Sequence, residues 1–224
     1  MKVNAHNPRR HRRHRGFLLV FSLLFASSTA CFATVPINQP QAKSIENYTS
    51  PDHSFTIAFP KDWTKDEKGH PYGDLTTIAG VRLTGPLGSE GVPVAISVLH
   101  YCGEGLFKSP EEFIHNKLNS IGRIDSDRKV VLTDIKIAKR PGKSFQIKTF
   151  KLVYLRHPVQ PPTREGVVYE LAPPYIQVNL LEQFLVIPAT KGFFVLNYCA
   201  PEQRVGDYQR CFDQVVESFQ PQLP

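Results

Sequence analysis

Four cysteines and eight histidines are the side chains of this 224-residue chain best suited to chemistry. Cys199 and Cys211 lie twelve residues apart, the first ending an apolar run and the second on a helical pattern. A helix folding back across its own preceding strand can reach the ~5.5–6 Å Cα separation of a disulfide. A Cys199–Cys211 bridge is therefore expected, with Cys102 left as a thiol; Cys102 joined to either of them, or three buried thiols, are the alternatives. His100 and Cys102 sit two apart on a predicted strand and so share a face. They lack a third ligand: His53, His70, His115 and His157 stand singly, with no i,i+4 histidine pair and no Cys-x-x-Cys. No metal site is expected. The group most open to a catalytic role is His100 with Glu104, although no motif places a base beside Cys102.

Other chemistries find less support. The glycine-rich run 85–91 (GPLGSEG) has a proline and no following Lys-Ser/Thr pair, so it reads as a turn rather than a phosphate loop. There is no G-x-S-x-G for a serine hydrolase. Glu111 and Glu112 open a helix, and Asp125 and Asp127 flank a turn. Lys136, Lys139, Arg140, Lys143, Lys148 and Lys151 make a basic hairpin. A solvated face guarding a sheet edge explains it better than a patch for an acidic partner or anionic headgroups. No catalytic set and no cofactor is expected.

The address is the clearest message. Lys2, Arg9, Arg10, Arg12, Arg13 and Arg15 precede the ten-residue apolar run 17–26 (FLLVFSLLFA), which small residues follow. A basic start, a short apolar run and small residues form an export signal. The run is too short to span ~30 Å of hydrocarbon. These six cations are among 27 Lys+Arg set against 20 Asp+Glu. Without them the chain is almost neutral, so its basic balance does not indicate nucleic acid. Cys31 directly follows Ala30, a context for lipidation, but Ser28 stands where an aliphatic residue is usual. Ordinary cleavage before Cys31 or before Thr34 competes with it. Residues 1–33 are assigned to the signal, 34–47 to a proline-punctuated tether, and 48–224 to one domain.

In that domain Ser54–Phe59 alternates as a half-buried strand ended by Pro60. Trp63, the single tryptophan, is expected to plug the core. Strands are predicted over 75–83 and 92–101, with a turn at 85–88. Ser109-Pro110-Glu111-Glu112 starts a helix as a capping box with proline at the first position; Gly122 is expected to end it. Strands over 130–138 and 145–155 form a hairpin turning at 140–143. After the proline-rich loop 157–164 come strands over 176–187 and 193–199, then a helix over 205–219. Hairpin-linked strands with one helix mid-chain and one near the end make an α+β fold, an antiparallel sheet covered by helices.

The phrase from Tyr48 to Trp63 (YTSPDHSFTIAFPKDW) resembles the opening of PsbP-like and Mog1-like domains. Phe193–Tyr198 (FFVLNY), with the following helix and its Val216–Phe219 (VESF), resembles their last strand and helix. The resemblance implies an α/β/α sandwich. It also implies non-catalytic character, which with the export signal gives an exported accessory or binding module at the periplasmic face of a membrane, or the lumenal face in a photosynthetic source. A monomer with a protein partner, bound to membrane only through a lipid anchor, is expected. An enzyme centred on His100 and Glu104, or a structural envelope lipoprotein, are the alternatives.

Overall fold

The computed structural model describes residues 44–67, 78–102, 106–120, 122–125, 127–154 and 175–222. The predicted leader with Cys31, the tether up to residue 43, His70, Glu104 and the loop 157–164 lie outside the described residues.

Alternating sequences produce strands here, and hairpins join them. β4 (Ile78–Leu87), β5 (Pro93–Tyr101), β9 (Phe193–Pro201), β8 (Tyr175–Pro188), β7 (Arg140–Tyr154) and β6 (Thr133–Ile137) pair in that order, with the short β3 (Thr64–Asp66) beside β4. Every pairing in this seven-stranded sheet is antiparallel. A second sheet is built on β2 (Phe55–Pro60), flanked by β1 (Ile45–Thr49) and β10 (Gln220–Pro221).

Strand parity assigns the two faces of the large sheet. Val94, Ile96 and Val98 of β5, with Phe194, Leu196, Tyr198 and Ala200 of β9, point toward the small sheet and α2 (Val205–Ser218). There they meet Phe55, Ile57, Phe59, Phe212, Val215 and Phe219 in the main core. Leu99 and Tyr101, with Phe193 and Val195, point the other way, toward α1 (Pro110–Leu118) and its buried Phe113 and Ile114. The result is the expected α+β architecture, an antiparallel sheet with helical cover on both faces.

The predicted start of α1 is present. The Ser109 hydroxyl accepts from the Glu112 amide at 3.2 Å, and the Glu112 carboxylate accepts from the Lys108 amide at 2.8 Å. Trp63 is buried, its indole 6.0 Å from the Tyr208 ring in an edge-on contact.

Several boundaries differ from the expectation. The hairpin turns at Ala138 and Lys139 (φ 48° and 65°), so Arg140-Pro141-Gly142 belong to β7. Two consecutive left-handed residues suit the twist of a two-residue hairpin, and that requirement overrode the turn propensity of Pro-Gly. β4 continues through Gly85-Pro86-Leu87, and the reversal comes later, where the Gly91 amide donates to the Gly88 carbonyl at 3.0 Å. α1 stops at Leu118, capped at Asn119, before Gly122. β1 begins at Ile45, inside the stretch read as tether, because β2 offers it a partner edge. β6 is an edge strand carrying exposed Lys136, as the edge-guarding reading of the basic hairpin requires.

Candidate functional site

At one end of the main core, where β5 runs out, a cavity of about 380 Å³ opens between the two sheets. The β1–β2 turn supplies Asp52 and His53, β5 supplies His100, and the residue beyond β5 is Cys102. The β8–β9 turn adds Thr190 and Lys191, and Arg140 comes from the start of β7. His100 and Cys102 therefore share one face, as their spacing predicts.

Local hydrogen bonds explain why the β1–β2 turn aims Asp52 at His100. Ser50, the buried polar residue of the core, accepts through its hydroxyl from the Phe55 amide at 3.1 Å, and its carbonyl accepts from the His53 amide at 2.8 Å. Asp52 then accepts from the Ser54 amide at 3.1 Å and the Ser54 hydroxyl at 2.8 Å. The Gln222 amide donates to the Ser54 carbonyl at 2.8 Å, so the segment after β10 latches the same turn.

His100 is held from three sides. Its ring stacks on Phe194, directly opposite on β9, at 4.4 Å between centroids. Nε2 lies 2.9 Å from the Lys191 carbonyl, and Nδ1 lies 3.5 Å from the Asp52 carboxylate. A carbonyl only accepts, so Nε2 carries a hydrogen. Nδ1 faces the second acceptor, the Asp52 carboxylate.

Burial works to raise the Asp52 carboxyl. Hydrogen bonds from the Ser50 and Ser54 hydroxyls, the Ser54 amide and His100 outweigh it, leaving the group below its ordinary 3.8. The folded value lies below the unfolded one, so ionised Asp52 adds stability above the unfolded value, and this is lost as pH falls through the folded value. Asp52→Asn is thus expected to lower stability at neutral pH by about 1 kcal/mol or less, since the carboxylate is a third exposed. Urea midpoints of the two proteins should converge below about pH 3; a gap that persists in acid would show that charge is not the cause.

Cys102 is a thiol that burial, with the nearby Asp52 charge, pushes above its ordinary value. A base for it would need a ring nitrogen with an available lone pair, and both nitrogens of His100 face acceptors. Glu104, the expected companion of His100, lies outside the described residues. Asp52, Lys191 and Arg140 were not singled out as its neighbours; no sequence motif links residues 48 and 91 positions away to His100.

The predicted Cys199–Cys211 bridge is not formed; Cys102, Cys199 and Cys211 are all thiols. Parity gives the reason. Cys199 follows Phe193, Val195 and Asn197 on the α1 face of the sheet, whereas Cys211 packs on α2 in the core of the opposite face. The strand itself stands between the two sulfurs. Burial, then the Glu182 carboxylate, pushes the Cys199 thiol up to about 12.

A second hollow of about 240 Å³ lies on the α1 face, beside the helix. Arg82, Ser97, Asn197 and Glu182 form a polar floor, with Lys117 of α1 at the wall. Its charges are of both signs and select no ligand class. Among the described residues no cluster of three ligand-type side chains could hold a metal ion.

No protein-family model matches this chain, and no curated protein does. Among solved structures, cyanobacterial PsbP (CyanoP) from Synechocystis sp. is similar over 80% of this chain and 93% of its own, at 11% identity and a TM-score of 0.45. LpqN, involved in cell envelope biogenesis of Mycobacterium tuberculosis, is 14% identical over 79% of this chain and 90% of its own, with a TM-score of 0.40. The Saccharomyces cerevisiae Ran-binding protein Mog1p is 9% identical over 80% and 95%, with a TM-score of 0.41. PsbP and Mog1 are the two names that the sequence resemblance gives, and the chain is similar to both in the outline of its fold.

Proposed function

We propose that this protein is an exported, non-catalytic binding module that meets a protein partner at the outer face of a membrane. The observation that carries the proposal is the cavity at His100. It is preformed, and it gathers Asp52, Cys102, Arg140 and Lys191 around a clamped imidazole. Such a constellation can hold a group, and burial keeps the Cys102 thiol above its ordinary value, which disfavours the thiolate.

Export is supported by the basic start, the short apolar run and the small residues before Cys31. The setting is the periplasm, or the thylakoid lumen in a photosynthetic source. A lipid on Cys31 would tether the domain; cleavage at Thr34 would release it. Among the described residues no helix is long and apolar enough to cross a membrane. The nearly neutral balance outside the leader supports a protein partner rather than nucleic acid.

A thiol enzyme is the second reading, favoured by the meeting of Cys102, His100 and Asp52 in one cavity. Two readouts on the full chain separate the readings. In a bacterial host, the exported protein should begin between Cys31 and Thr34 by intact mass and bring down a membrane protein from solubilised envelopes. Cys102 should alkylate slowly at neutral pH and faster only in alkali. An uncleaved cytoplasmic chain would overturn export, and rapid alkylation at neutral pH that His100→Ala abolishes would overturn the non-catalytic reading.

A further inference from the structure

Two cations line the cavity without a counter-charge. Among the described residues no carboxylate lies within ion-pair distance of Arg140 or Lys191, and neither side chain makes a hydrogen bond. The carboxylate present, Asp52, is already engaged by Ser54 and His100. His53 adds an exposed imidazole on the same wall. The remaining lining adds apolar surface from Ala189 and from the His100 ring that covers Phe194, a hydroxyl from Thr190 and an amide from Gln222.

We infer that this cavity binds a small organic anion, whose carboxylate is met by Arg140 and Lys191 and whose apolar body is met by Ala189 and the His100 ring stacked over Phe194. The inference rests on reading the cavity as a binding site and adds the class of its occupant. Unmatched cations in a concave, partly apolar setting raise the local concentration of anions, and the planar guanidinium fork suits a carboxylate. A bare inorganic anion would leave the apolar wall unmet, and an uncharged ligand would leave both cations unmet. The volume, about 380 Å³, accommodates a ring-sized body.

The test is an NMR titration of the isotope-labelled full chain with benzoate, with benzyl alcohol as its uncharged counterpart and with inorganic phosphate. Benzoate should give saturable shifts at the Arg140 and Lys191 amides and the His100 ring; benzyl alcohol should give none, and phosphate should bind more weakly. Arg140→Gln and Lys191→Gln, which leave buried side chains in place, should each weaken benzoate about tenfold. Spectra unchanged away from the cavity would show that both variants fold. Equal shifts with benzyl alcohol, phosphate binding as tightly as benzoate, or affinity unchanged in both variants would each overturn the inference. So would the absence of saturable shifts with every probe. In that last case the binding-module reading would still be judged separately, by thiol reactivity and partner capture.

Discussion

Replacing Trp63 by alanine is expected to lower stability by about 3–5 kcal/mol, measured by chemical denaturation with an unchanged slope. The indole is 5% exposed and belongs to the main core. It lies edge-on to Tyr208 of α2 and against Gly85 of β4, where an added Cβ would come within 2.8 Å of the ring. Gly85 is thus the gap that the indole fills, and no neighbour has the volume to refill it after truncation. Because Trp63 ties the β3–β4 end of the large sheet to α2, the loss should also loosen that helix. A cost below about 1 kcal/mol would mean that the indole does not pack as described.

Gly192→Ala should be more damaging still, at about 4 kcal/mol or more. Gly192 has φ +74°, in the left-handed region that costs other residues about 1–2 kcal/mol. A Cβ there would sit 1.7 Å from the Tyr101 carbonyl oxygen, so backbone rather than a side-chain tip must move. The same β8–β9 turn presents the Lys191 carbonyl to His100, and displacing it should shift the His100 ring resonances. Gly206→Ala is the matched control: a Cβ there meets nothing within 4 Å, and the residue lies in α2. That change should be neutral or stabilising by about 0.5 kcal/mol. Similar losses at both glycines would argue against the clash.

The longer strands and both helices were legible because each encodes itself locally, whereas β1, β3 and β10 exist only by pairing with a neighbour's edge. Phe55, Ile57 and Phe59 alternate, and Ser109 to Glu112 spell a helix start. The turn at Ala138 and Lys139 was not, since neither residue advertises a left-handed backbone and Pro141-Gly142 beside them does. The missed cysteine geometry was in fact available. The period of two that buries Tyr198 against Phe212 sends Cys199 to the other face, a direction that spacing along the chain alone does not carry. Half of the site followed from the same parity, which joins His100 to Cys102. The other half could not follow. Asp52 and Lys191 reach the cavity from two turns and Arg140 from the start of β7, through contacts that only the assembled sheets create.

The small sheet has a consequence in time rather than in space. Its middle strand, β2, holds β1 on one edge and β10 on the other, and the Ser218 hydroxyl meets the Ala58 amide across 160 residues of sequence. Pairings of such span are slow to form, because nearly the whole chain must be gathered before they give any return. During synthesis every strand of the large sheet emerges before Gln220–Gln222 can close over Ser54 and Thr56. A chain still being made carries His100 and Lys191 before Gln222 has closed on Ser54. The cavity is complete only when the segment at Gln222 has joined Ser54, so its assembly waits on the pairing of widest sequence span.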